Sequence, residues 1–158
     1  MKLVVGVGDM KVSGSADDII VTHALGSCLG LAAYDQRSGV GGIAHLMLPT
    51  SDVNKQKAKN NPYMFVDTGF PQFLDALYKR GANKRTLKIK AAGGACIGGG
   101  RDMFEIGKRN IIMLRKLLWQ NNIIIAGKDV GGNTSRTMYL EVGSGRVWVT
   151  SNGKGWDL

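Results

Sequence analysis

The chain has 158 residues, 44% of them hydrophobic and 21% charged, which supports one domain with a buried core and excludes a disordered or fibrous class. Its net charge of +9 suits an acidic partner or a solvated basic surface. No RNA-binding aromatic motif, zinc finger or recognition helix accompanies the charge, so nucleic acid is not expected. The chain opens without a signal-peptide core, has no apolar run long enough to span a bilayer, and carries two cysteines far apart in sequence. These features suit reduced thiols in a cytoplasmic protein without membrane insertion.

In chain order, Leu3-Val4-Val5 closes a first short strand, and Gly6-Val7-Gly8 behind it is too short for a dinucleotide fingerprint. Residues 18–22 read as a strand, 24–27 as a turn, and 28–34 and 40–46 as two apolar strands. Asp35-Gln36-Arg37-Ser38-Gly39 between the last two is a hairpin signal. A polar loop follows, with Lys55, Lys57 and Lys59. Asp67-Thr68-Gly69 then opens a helix with Pro71 in its first turn, and Gly81 stops it. Residues 87–92 alternate as a strand does. A glycine-rich connection from Gly93 to Gly100 leads into a second helix over 102–120, striped by Ile106, Ile111, Leu114, Leu117 and Leu118. The β-branched run 123–126 reads as a buried strand. Segments 137–142 and 146–150 read as a closing hairpin, so the domain spans 1–150 and a loose tail takes 151–158. Two helices among about eight strands describe an α+β domain, with helices on one face of a sheet and a second β layer opposite.

The chemistry concentrates in Gly26-Ser27-Cys28 and in His45, one of only two histidines. A strand-start cysteine is more often a packed core thiol, and a strand histidine more often only satisfies its own hydrogen bonds. The hairpin changes that balance, because it places the two side chains on one face. If Asp35 pairs with Val40, Cys28 lies one diagonal from His45; a turn tightened so that Tyr34 pairs with Gly39 puts them directly opposite. A one-residue slip would send them to opposite faces. Gly26 suits a tight bend with φ > 0 that frees backbone N–H groups at Gly26-Ser27 for an oxyanion. Thr22, at the exit of the preceding strand, is placed to orient an imidazole. His23 is a rival base on proximity alone, although a loop or surface position fits it better. A zinc set of Cys28, Cys96, His23 and His45 lacks ligand spacing, so no metal is expected. The glycine block lacks the Lys and Thr of a phosphate cradle, and its glycines read as tight bends beside the site.

Thr22-His-Ala-Leu-Gly-Ser-Cys28, His45-Leu-Met-Leu-Pro49, Lys90-Ala-Ala-Gly-Gly-Ala95 and Asp129-Val-Gly-Gly132 with Arg136 behind it resemble, in order and spacing, the signature blocks of the chemoreceptor glutamine deamidases, the CheD family. The resemblance covers about residues 2 to 150. It implies a nucleophile at Cys28, a base at His45 and a third member at Thr22, on an α/β/β sandwich. It also implies hydrolysis of receptor glutamines to glutamate through a thioester, with possible methylesterase chemistry and no cofactor. The implied partners are the cytoplasmic helices of chemotaxis receptors and a CheC-type phosphatase. The Lys55, Lys57 and Lys59 loop is then a candidate docking rim for acidic receptor helices. The competing expectation is a non-catalytic module that stimulates the phosphatase.

Overall fold

A computed structural model describes residues 1–98 and 104–158, and its elements fall into two five-stranded sheets with helices on one side. The first sheet has the order β1 (Lys2–Val5), β3 (Ile19–Leu25), β8 (Arg136–Glu141), β9 (Arg146–Ser151), β10 (Lys154–Asp157). In the second sheet the order is β2 (Asp9–Ser13), β5 (Val40–Leu46), β4 (Leu29–Asp35), β6 (Leu87–Gly93), β7 (Gly127–Val130). The helices are α1 (Lys55–Asn60), α2 (Val66–Lys79) and α3 (Ile106–Gln120).

The layering follows from strand alternation. In β4, Leu29, Leu31 and Ala33 pack with Phe70, Phe73 and Leu77 of α2 and Leu114 and Leu118 of α3. The intervening Ala32 packs with Ile20, Met138, Leu140 and Val149 of the opposite sheet. Both faces are therefore buried, which is why β4 and β5 read as continuous apolar runs rather than as alternating ones. Each fully buried Leu in these two layers contributes roughly 1.5–3 kcal/mol. The result is the expected α/β/β sandwich, with β4 and β5 as its shared middle layer.

The hairpin register is the first of the two anticipated, Asp35↔Val40, and continues to Gly30↔His45 and Leu29↔Leu46. Asp35 anchors it. Its buried carboxylate accepts from Arg37 N, Ser38 Oγ, Asn83 N and Thr86 Oγ1. Burial alone would raise this carboxyl, but those hydrogen bonds outweigh it and bring its pKa to about 2.

Four expectations need correction. The lysine loop is the short helix α1, closed at both ends by Asn54 and Asn61 caps. α2 starts at Val66, because Phe65 bridges Leu48 and Val66 N bonds Leu48 O at 2.7 Å. Pro71 consequently lies inside the helix rather than in its first turn. The β-branched run 123–126 is not the strand: Ile123 and Ile125 pack on the core while Ile124 is 92% exposed, and pairing with β6 begins only at Gly127. Finally, residues beyond Ser151 are not loose, since Lys154–Asp157 pairs antiparallel with β9 as an exposed edge strand. The start of the second helix, expected at Asp102, lies outside the described residues; α3 is seen from Ile106.

Among the described glycines, Gly93 at the end of β6 leaves the least room for an added side chain. It has φ +102, and a Cβ there would stand 2.2 Å from the carbonyl oxygen of Cys28. Gly93→Ala should therefore cost roughly 3 kcal/mol in urea unfolding, combining backbone strain with a backbone clash. Gly6→Ala, with nothing within 4 Å of the added carbon, should stay within about 0.5 kcal/mol. Equal midpoints for the two variants would contradict the packing described.

Candidate active site

The two sheets meet at the candidate site through one residue each. On the first sheet, Thr22 is fully buried and its Oγ1 lies 2.8 Å from Val5 O and 2.7 Å from Nδ1 of His45. On the second, His45 is fully buried in β5. A hydroxyl has one proton, and a carbonyl can only accept. Thr22 must therefore donate to Val5 O and accept from His45 Nδ1–H. That assigns the tautomer: Nε2 carries the lone pair, and it is buried without a hydrogen-bond partner among the described residues. Thr22 thus turns the imidazole into an acceptor at its far nitrogen.

Cys28 sits just ahead of β4. Gly30 is opposite His45 in the ladder, and Cys28, in the bend just before the ladder, packs against the same inter-sheet core. The thiol is half-buried and packs at the border of the inter-sheet core. Burial raises its pKa, partly offset by its own backbone N–H. Burial also lowers the pKa of His45 to about 4. Both groups are thus neutral at rest, a thiol beside an imidazole rather than a thiolate–imidazolium pair.

The segment carrying Cys28 leaves β3 through a bulge, where the register with β8 shifts between Thr22 and Leu25. The left-handed residue there is Ala24, at φ 58. This corrects the expectation for Gly26, which is not among the positive-φ residues. Strain of order 1–3 kcal/mol on a non-glycine residue at this point is held by the surrounding bonds. All three carbonyls of the segment are pinned: Gly26 O by Ala95 N at 2.8 Å, Ser27 O by Asn110 Nδ2 at 2.9 Å and Cys28 O by Gly94 N at 2.9 Å. The N–H groups of Ser27 and Cys28 have no acceptor in another described residue. Gly93, Gly94 and Ala95 therefore form a wall for the cysteine backbone, while Gly99 and Gly100 of the same glycine-rich connection lie outside the described residues. Arg136 buttresses it by bonding Asp129 Oδ2 at 3.0 Å, Gly131 O at 2.8 Å and Gly93 O at 3.3 Å.

The remaining candidates separate from this centre. His23 is exposed, next in β3 to the inward-facing Thr22. Cys96 is half-buried and its N–H bonds Gly132 O. Among the described residues no three His, Cys, Asp or Glu side chains converge as metal ligands. Lys55, Lys57 and Lys59 are exposed on α1. Helical spacing puts Lys55 and Lys59 on one side and Lys57 roughly opposite. Their link to the centre runs through Asn61 Nδ2, which bonds Gly8 O at 2.9 Å, and Gly8 N, which bonds His45 O at 2.9 Å. Asn110 was not anticipated. Its signal in the sequence is a polar residue on the core-facing side of α3, in line with the buried Gly107, Leu114 and Leu118.

Comparison with known proteins shows the family. The family described as CheD chemotactic sensory transduction matches residues 47–151. A "Probable chemoreceptor glutamine deamidase CheD" of Solibacter usitatus is 46% identical over 157 residues, 99% of this chain and 93% of its own. A second protein of that name, numbered 1, from Syntrophus aciditrophicus is 46% identical over 151 residues, 96% and 94% of the two chains. One from Clostridium tetani is 42% identical over 154 residues, 96% and 92%.

The lowered pKa of His45 carries a stability signature. The unfolded chain takes up this proton near 6.5, while the folded chain resists it down to about 4. The contribution is fully present above 6.5 and is lost as pH falls from there toward 4. The corresponding loss from Asp35 comes lower, between 3.8 and about 2. Urea midpoints of the parent should fall through the upper window, and His45→Asn should lack that part of the fall. Parallel pH profiles for the two proteins would contradict the assignment.

Proposed function

The chain belongs to the CheD family, and on that footing we propose that it hydrolyses glutamine side chains of chemotaxis receptors to glutamate, with Cys28 as nucleophile, His45 as base and Thr22 orienting the base. One observation carries the residue roles. The 2.7 Å contact between Thr22 Oγ1 and His45 Nδ1 leaves a buried Nε2, without a partner among the described residues, between the sheets where Cys28 also packs.

In this mechanism His45 Nε2 takes the Cys28 proton as Sγ attacks the carboxamide carbon. The developing oxyanion is held by the N–H groups of Cys28 and Ser27, at the turn led by Gly26. The imidazolium keeps its Nδ1–H on Thr22 and passes its other proton to the departing ammonia. Burial makes that cation unfavourable, as its low pKa records, so the proton is readily given up to the leaving group. Water activated by the again-neutral His45 then attacks the thioester, releasing glutamate and restoring the thiol. The sum is amide plus water giving carboxylate plus ammonia. A glutamyl methyl ester enters the same thioester with methanol as the leaving group, so esterase chemistry is open to the site. The setting we propose is the cytoplasm, where receptor helical hairpins are the substrate and a CheC-type phosphatase the regulatory partner. Among the described residues no helix is long and apolar enough to cross a membrane.

The primary test incubates purified protein with receptor cytoplasmic fragments and maps amide-to-acid conversion by mass spectrometry. Cys28→Ala should abolish conversion and His45→Ala should reduce it by about 10²–10⁴-fold, whereas Cys96→Ala and His23→Ala should remain active. Substantial turnover by Cys28→Ala would sink the assignment.

The exposed lysines of α1 are proposed as a docking rim, since α1 is bonded through Gly8 to the backbone of His45. Receptor helices with acidic residues beside their modifiable glutamines would meet it faster. Reversing Lys55, Lys57 and Lys59 to Glu should raise KM, flatten its salt dependence and leave kcat little changed. Superimposable Michaelis curves at low and moderate salt would reduce α1 to a solvated surface.

A further inference from the structure

Asn110 of α3 is fully buried, and its Nδ2 donates at 2.9 Å to two carbonyls, Ser27 O and Met47 O. Both acceptors are carbonyls, so the amide orientation is settled: the NH₂ group faces them and Oδ1 points away, buried and without a hydrogen-bond partner among the described residues. The two bonds go to the residues that flank the reactive pair, one just before Cys28 and one just beyond His45. A helix side chain thereby staples together the ends of the two strands that carry nucleophile and base.

The bond to Ser27 O has a second consequence. The Ser27 carbonyl and the Cys28 N–H belong to one planar trans peptide, in which C=O and N–H point in opposite directions. Fixing where the carbonyl points fixes where the Cys28 N–H points, away from α3. A donor on the carbonyl also polarises the peptide and strengthens its N–H as a donor. Gly107, one turn ahead of Asn110, approaches the same segment closely. A Cβ on Gly107 would stand 2.4 Å from Ala95 O and 2.6 Å from Gly94 O, and Gly94 and Ala95 are the residues whose N–H groups pin Cys28 O and Gly26 O.

We propose that Asn110 is a positioning residue for the reaction: by holding the Ser27–Cys28 peptide it aims the Cys28 N–H at the oxyanion of the thioester-forming step. The inference rests on Cys28 acting as the nucleophile.

The test compares two reactions of the same thiol. Deamidation passes through an oxyanion; alkylation by iodoacetamide displaces iodide at carbon and forms none. Asn110→Asp keeps the side-chain shape and removes the NH₂ donor. It should lower kcat for receptor-fragment deamidation at least about tenfold, short of or reaching the 10²–10³ lost when an oxyanion donor is deleted outright. KM and the rate of Cys28 alkylation should stay within about twofold of the parent. If Asn110→Asp gives no folded protein, the same pair of rates is read on Asn110→Ser, whose short hydroxyl cannot bridge both carbonyls. Unchanged kcat overturns the role of Asn110. An alkylation rate that falls in step with kcat also overturns it, because the loss would then lie in the Cys28–His45 pair itself. A parent that deamidates no receptor glutamine overturns the functional reading as well, which separates the two failures.

Discussion

The hydrogen bond between Thr22 and His45 crosses from one sheet to the other, and the rest of the site depends on it. Thr22 spends its only proton on Val5 O, the neighbouring strand of its own sheet. What it offers His45 is a lone pair, which can bind only a protonated Nδ1. The tautomer is thus dictated by strand pairing within the first sheet, two bonds removed from the chemistry. Without that bond the imidazole would be free to protonate at either nitrogen. The sandwich architecture places this contact where the two sheets face each other. The imidazole is thereby buried, oriented and neutral.

Burial has a cost that the proposed mechanism uses. Burial holds His45 neutral to about pH 4 and raises the Cys28 thiol, so in the proposed mechanism the nucleophile is not preformed. On the proposed mechanism proton transfer accompanies attack, and the oxyanion donors matter correspondingly more than they would for a standing thiolate. The bulge at Ala24, the pinned carbonyls of Gly26, Ser27 and Cys28, and the glycine wall of Gly93 and Gly94 all act on the geometry of one short segment. In the proposed mechanism the tight packing around Cys28 sets the backbone orientation that the chemistry uses.

Much of this was readable in the chain. The hairpin was, because Asp35 to Gly39 is a strong turn signal and a register slip would have moved His45 off the face of Cys28. The two-layer core was, because β4 and β5 are apolar on both sides. What was misread shares a cause: local pattern was overridden by a distant partner. The run 123–126 is rich in isoleucine, yet its strand begins only where β6 offers a pairing edge. Residues 154–157 look unremarkable, but β9 presents an open edge and they take it. Asn110 hid among apolar neighbours, since its value lies in two carbonyls more than sixty residues away in sequence. The lysine segment looked like a loop because six helical residues between asparagine caps carry no apolar stripe.

The tautomer of His45 is the most direct test of this account. Long-range ¹H–¹⁵N correlation on the uniformly labelled protein at neutral pH distinguishes a protonated ring nitrogen from a bare one. The account requires His45 to be neutral, with its proton on Nδ1 and Nε2 unprotonated, and it requires that preference to weaken in Thr22→Val. A proton found on Nε2, or a Thr22→Val variant whose His45 keeps the parent's pattern, would contradict it.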